Sequence, residues 1–259
     1  MTEVIERSRL EVAVRATGNL RLIPYLMAGH PSPAESIALG RAYARAGAAA
    51  VEVGVPHSDP LADGPVIQRA GQLALDAGMT MAGALEVASA IADEGAPVVL
   101  MTCVNPVLAR GPTRFAVDCA RAGVAGVIVP DLPAEESDPV ADPLRAAGVD
   151  TIFLVAPTSP DSRMRSIAER SSGFVYCVTV AGVTGARSEL PARLEELLAR
   201  ARAATDLPIA AGFGISRPEH VRRLRGRADA AVVGSALVGL EQRGEDPLQL
   251  VEELLRACR

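Results

Sequence analysis

Residues 208–238 read PIAAGFGISRPEHVRRLRGRADAAVVGSALV. Two short apolar runs, Pro208–Ala211 and Ala230–Val233, each give way to a glycine-bearing segment, GFGIS at Gly212–Ser216 and GSA at Gly234–Ala236. Between them lies a stretch of helical character that is long enough to cross back over a sheet. Adjacent parallel strands require such a crossover, whereas a hairpin would need only a tight turn. The same unit recurs upstream. Apolar runs at Leu22–Leu26, Ala49–Val53, Pro97–Met101, Gly126–Val129, Thr151–Val155 and Phe174–Val178 are each followed by a longer Ala/Leu/Arg segment of helical period. These strands are apolar on both faces, as expected where side chains fill a barrel inside and helices cover it outside. Eight such units in a chain of 259 residues predict a single (β/α)8 TIM barrel spanning residues 1–259. An open doubly wound sheet is the rival arrangement, but it gives no reason for eight similar units without a composition break.

The units are unevenly spaced. HSDPLADGPVIQRAGQLALDAGM, between the second and third runs, leaves room for an extended loop and an extra helix. AGVTGARSELP makes an extended loop after the sixth run. The segment before Leu22 reads as an additional N-terminal helix that closes the opposite end of the barrel. Loops that follow the strands build the carboxyl-terminal face, where barrel active sites sit.

Composition narrows the chemistry. The formal charge of −5 comes from 26 basic and 31 acidic residues, and every basic residue is Arg. A chain without Lys forms no Schiff base with a carbonyl substrate or with pyridoxal phosphate, and carries no Walker A loop. Scattered arginines on an acidic chain argue against nucleic acid as a partner. The Arg222–Arg227 run reads as a solvated face. No apolar run has the length of a membrane span, and MTEVIERSRLEVAV lacks the apolar core of a signal peptide. Cys103, Cys119, Cys177 and Cys258 are widely spaced and include no CxxC, which suits free thiols in a reducing cytoplasm.

Chemistry concentrates in AAVEVGVPHSDPLADGP, residues 49–65. Strand alternation puts Val51 and Val53 on one face and Glu52 on the other with Ala50 and Gly54. With the valines toward the helices, Glu52 points into the barrel near its rim. Burial there raises its pKa and suits it to both give and take a proton. Asp63 follows in the loop ahead of Gly64 and Pro65; taken alone, it reads equally well as a turn aspartate. GVTG (Gly182–Gly185), GFGIS and GSA follow the last three runs. They can bring backbone N–H groups close to a phosphate, with a helix starting at Gly234–Ser235 aimed at the dianion.

VEVGVPHSDPLADGPVIQRA resembles the signature of the tryptophan synthase α subunit family. PYLMAGHP, NPVL, VPDLPAEES, FLVAPTSP, GFVYCVTVAGVTGAR, GFGIS and GSA follow in the family's order. The resemblance implies a lyase that splits indole-3-glycerol phosphate into indole and glyceraldehyde 3-phosphate. It also implies a β subunit partner in an αββα assembly, which carries the pyridoxal phosphate while this chain needs no cofactor and no metal. By motif, Glu52 is the acid/base, Asp63 its charge-stabilising partner and Tyr176 an active-site tyrosine. Gly185, Gly214, Gly234 and Ser235 match the phosphate ligands. Tyr25, Met101, Ile128, Phe213 and Val232 fall where the indole pocket is lined, although plain barrel core accounts for them equally well. Thr184 belongs to the loop that folds over the substrate, and Asp59 and Pro60 to the loop that meets the β subunit. Asp131, in PDLP, looks like a loop organiser.

The chain departs from the family's usual residues at Met27, His30, His57, Cys103, Val104, Cys177 and Ala181. Three alternatives accompany these departures: a stand-alone indole-3-glycerol phosphate lyase that releases free indole, a metal-dependent lyase using His30, Glu52 and His57, and a non-catalytic activating subunit.

Overall fold

The computed structural model describes residues 7–15, 17–60, 63–178, 193–212 and 214–259. Its centre is a sheet of strands β1 (Arg21–Met27), β2 (Val51–Gly54), β3 (Val98–Met101), β4 (Val124–Ile128), β5 (Asp150–Ile152), β6 (Leu154–Val155), β7 (Val175–Val178), β8 (Ile209–Gly212) and β9 (Ala230–Val233). They run in the order β5-β4-β3-β2-β1-β9-β8-β7-β6, and every pairing is parallel. The two ends of that order, β5 and β6, are separated in the chain by Phe153 alone. They are halves of one barrel strand, the first pairing with β4 and the second with β7. The sheet therefore closes on itself as a (β/α)8 TIM barrel, and all eight apolar runs of the sequence contribute to it. The break at Phe153 is a strand feature that the sequence pattern does not announce, as is the register shift at Val98–Val99 where β3 pairs with β4.

Helices wrap the outside: α1 (Arg9–Val14), α2 (Pro33–Ala46), α3 (Pro65–Asp76), α4 (Met81–Ala92), α5 (Val104–Arg110), α6 (Pro112–Arg121), α7 (Asp138–Ala146), α8 (Asp161–Arg170), α9 (Leu194–Ala204), α10 (Pro218–Leu224), α11 (Ser235–Gln242) and α12 (Pro247–Cys258). Their ends follow local chemistry. Ser32 and Thr80 cap α2 and α4 by accepting from Glu35 N–H and Gly83 N–H, and proline opens α2, α3, α6, α10 and α12. Gly47, at φ +99°, ends α2 in the left-handed region. The interval between β2 and β3 holds both α3 and α4, which is the extra helix that its length implies. Among the described residues no single helix is long and apolar enough to cross a membrane.

Alternation sorts the core into two layers. Val51 and Val53 belong to the layer shared by strands and helices. Ile23, Ala50, Val99, Ile128, Ile152, Phe174, Tyr176, Ala210, Ala230 and Val232 fill the barrel interior. Leu10 and Val14 of α1 join that inner layer, each fully buried, so the N-terminal helix plugs the amino-terminal end as the sequence suggests. The plug depends on missing side chains. A Cβ at Gly126 or Gly173 would collide with Cδ2 of Leu10.

A candidate active site at the carboxyl-terminal rim

Glu52 sits in register with Tyr25 on β1 and Val99 on β3. Val99 points inward, so Glu52 does too. The carboxyl is only 1% exposed, and its Oε2 finds no hydrogen-bond partner among the described residues. Burial, reinforced by the charge of Asp63, pushes its pKa up to about 8. The carboxyl is therefore held protonated near neutrality, yet it can lose its proton without leaving the working pH range.

Two tyrosines flank it. The Tyr25 phenol is driven well up by burial and then by Asp63 and Glu52, and that of Tyr176 by burial and then by Glu52. Both remain neutral hydroxyls. Each occupies space left by a glycine on the next strand: a Cβ at Gly54 would clash with Tyr25 Oη, and one at Gly212 with Tyr176 Oη. Phe174 braces Tyr176 edge-on, with ring centroids 6.3 Å apart.

Asp63 lies at the end of the loop after β2, directly before Gly64, the residue that caps α3. Its N–H donates to Pro60 O at 3.1 Å, and Gln68 Nε2 donates to both Asp63 O (2.9 Å) and Pro60 O (3.1 Å). These bonds fix the backbone at the end of the loop. Burial raises its pKa and the nearby His57 opposes the rise. Tyr25, Met27, Gly54, Val55, His57, Asp63, Met101, Thr102, Cys103 and Pro130 line one cleft at this rim.

The other residues singled out in the sequence are distributed around that cleft. Tyr25 and Met101 line it, whereas Ile128 and Val232 lie in the inner barrel core. Gly234 and Ser235 open α11, where the first N–H groups of the helix are unused by its own carbonyls. Gly214 adopts φ +64°, a conformation that favours glycine. Asp59 is exposed in the loop beside Pro60. Asp131 accepts from Val104 N–H with both oxygens, at 2.9 and 3.2 Å, and so caps α5 from the loop after β4. Thr184, Gly185, Ala181 and Phe213 lie outside the described residues.

His30, Glu52 and His57 do not form a ligand set. His57 Nε2 lies 2.9 Å from Cys103 Sγ, and among the described residues no three His, Cys, Asp or Glu side chains are placed to share a metal ion. The sequence did not reveal that His57–Cys103 contact, nor a second buried carboxyl, Glu241 on α11. Both oxygens of Glu241 are unpartnered among the described residues, and burial pushes its pKa up to about 7. All four cysteines are free.

The chain is similar to known proteins over nearly its whole length. Residues 12–259 match the family model described as tryptophan synthase alpha chain. The tryptophan synthase alpha chain of Microcystis aeruginosa is 43% identical over 263 residues, covering 100% of this chain and 98% of that one. That of Gluconacetobacter diazotrophicus is 49% identical over 233 residues, covering 89% and 85%. Among solved structures, a chain of Mycobacterium tuberculosis tryptophan synthase superposes with a TM-score of 0.89 at 38% identity, covering 98% of this chain and 99% of that one. A Pyrococcus furiosus tryptophan synthase alpha-subunit mutant gives 0.85 at 36% identity, covering 93% and 99%. With matches over nearly its whole length in both sequence and structure, the chain belongs to the tryptophan synthase alpha chain family.

Proposed function

We propose that Glu52, Asp63 and Tyr176 carry out the lyase reaction of this family, the retro-aldol cleavage of indole-3-glycerol phosphate into indole and glyceraldehyde 3-phosphate. The observation that carries this reading is the buried Glu52 carboxyl, with one oxygen unpartnered among the described residues and a pKa near 8. Cleavage needs the ring carbon C3 protonated first, so that the breaking C–C bond does not leave a carbanion. The neutral Glu52 carboxyl gives that proton, forming an indolenine cation. Its carboxylate then takes the proton of the side-chain hydroxyl. As that oxygen becomes the aldehyde carbonyl, the electron pair of the C–C bond returns to the ring and indole leaves. Glu52 ends the cycle protonated again.

Asp63 accepts from the indole N–H and offsets the positive charge that develops on the ring nitrogen. Tyr176 packs against the reacting face and orients the Glu52 carboxyl. The phosphate belongs at the start of α11, on the N–H groups of Gly234 and Ser235, with Gly214 and Gly185 completing the cradle. A dianion there is favoured by the helix dipole and by unsatisfied donors, and needs no Lys. Tyr25, Met101, Ile128, Phe213 and Val232 form the apolar pocket for the ring. Thr184 belongs to the loop that covers the substrate, and Asp59, Pro60 and Asp131 to the side that meets the partner.

The chain performs this step without a cofactor, as a soluble cytoplasmic α subunit in an αββα assembly with a β subunit that holds pyridoxal phosphate and consumes the indole. The test is indole release from indole-3-glycerol phosphate by the purified chain, with and without the β subunit of the same source. Slow release alone with strong activation by β is the expected result. Fast release indifferent to β would instead identify a self-sufficient lyase, and no release in either case would overturn the assignment of Glu52.

A further inference from the structure

The loops after β2, β3 and β4 are tied together by one chain of side-chain contacts. His57 Nδ1 lies 3.2 Å from Val55 O, and His57 Nε2 lies 2.9 Å from Cys103 Sγ. Cys103 is the residue directly before α5, and the carboxylate that caps α5 belongs to Asp131. Proton bookkeeping fixes the roles. Val55 O can only accept, so Nδ1 carries the hydrogen, and Nε2 is left to accept from the Cys103 S–H. Burial first, then the charges of Asp131 and Asp63 and a side-chain hydrogen bond with Asp131, push the Cys103 thiol up to about 12, so the thiol keeps its proton throughout the working range, with the Asp131 carboxylate as a second acceptor beside Nε2. The thiol is a donor and not a nucleophile.

The pair stands at the reaction centre. His57 and Cys103 line the same cleft as Asp63, and His57 is on the same loop as Asp63. The contact joins two loops across 46 positions of sequence.

We propose that Cys103 and His57 are positioning residues for the lyase reaction: the S–H···Nε2 bond clasps the loop after β2 to the start of α5 and so holds Asp63 at the ring nitrogen of the substrate. The proposal rests on the assignment of Asp63 made above. A misplacement of the charge-stabilising carboxylate by a fraction of an ångström slows the step that develops charge and leaves substrate capture nearly intact. Cys103→Ala therefore lowers kcat on the order of 10-fold while KM changes by less than about 2-fold. Cys103→Ser, whose hydroxyl can still donate to Nε2, restores most of the rate. His57→Phe costs a similar factor, and the double variant His57→Phe/Cys103→Ala is no slower than the slower single variant, because one bond cannot be lost twice.

The assay is indole release by the chain with its β subunit, accompanied by nitrogen NMR of the imidazoles with His57 assigned by its absence from His57→Phe. Wild type shows His57 as the Nδ1–H tautomer, and Cys103→Ala shows a tautomer mixture. Wild-type rates in Cys103→Ala, equal losses in the Ala and Ser variants, or additive losses in the double variant overturn the positioning role and leave the lyase reading standing. No indole from the wild type overturns the lyase reading, and the positioning role with it.

Discussion

At the amino-terminal end of the barrel Asp150 is buried and served; at the carboxyl-terminal rim Glu52 is buried and keeps one oxygen unpartnered among the described residues. Asp150, 9% exposed, accepts from Ser8 Oγ at 2.5 Å. Burial raises its pKa, and the hydroxyls of Ser8 and Ser172 pull it back. Glu52, 1% exposed, has no such help at Oε2, and its pKa climbs to about 8. The same closed sheet therefore carries two kinds of buried acid. One has hydroxyl partners that offset part of the burial effect on its charge and anchors the α1 plug. The other is poised between forms, which is unfavourable for folding and useful for proton transfer.

The largest expected effect comes from fixing the rim acid in its neutral shape. Glu52→Gln should lower indole formation by at least about 10³-fold, at the upper end of what a lost acid/base costs. Its stability should move the other way. The folded-state pKa of Glu52 is raised from 4.5 to about 8, so between those values the folded chain holds a proton that the unfolded chain has released. Wild-type stability contributed by this group is full below pH 4.5 and falls as pH rises toward 8. Glu52→Gln lacks that fall, and urea melts at pH 6 and pH 9 should show the variant gaining on wild type by a few kcal/mol, about 3 by the size of the shift. A variant that loses activity and also loses stability equally at both pH values would mean that Glu52 is structural.

The contrast between the ends also separates what a sequence can disclose from what it cannot. The eight runs were legible because both faces of each strand are apolar, and Glu52 was legible because alternation around Val51 and Val53 leaves it no outward position. The α1 plug was legible as an amphipathic segment placed before the first strand. The strand break at Phe153 was not, since β5 and β6 pair with different neighbours while their residues keep one apolar character. Gly54 and Gly212 read as ordinary strand ends; their reason is a tyrosine on an adjacent strand, Tyr25 for one and Tyr176 for the other. The Cys103–His57 contact joins two loops whose separation in sequence carries no periodic signal. Local pattern fixes which side chains face inward, and only closure of the sheet decides which of them meet.

Those glycines allow the same insult to be applied at both ends. Gly212→Ala at the rim would drive its Cβ into Tyr176, and Gly126→Ala near the plug would drive its Cβ into Leu10 and Ile152. Overpacking costs on the order of 1–3 kcal/mol in either place. The activities should diverge. Gly212→Ala displaces the phenol beside Glu52 and should reduce kcat on the order of 10-fold, while Gly126→Ala should leave kcat unchanged below its melting range. Equal kinetic losses in the two variants would break the division between a catalytic rim and a structural base.

The smallest effect is expected at the served acid. Ser8 performs two tasks with one hydroxyl: it accepts from Glu11 N–H at 3.0 Å as the cap of α1 and donates to Asp150. Ser8→Ala removes both, for a loss of about 1–2 kcal/mol with no change in kcat. The two parts respond differently to pH. The cap bond involves no titrating group and is lost at every pH. The bond to Asp150 favours the carboxylate, so its contribution is present where Asp150 is charged and disappears as acid protonates it. Urea melts of Ser8→Ala and wild type should therefore differ more at pH 7 than at pH 4. A difference independent of pH would reduce Ser8 to a helix cap and leave Asp150, like Glu52, a buried acid without decisive support.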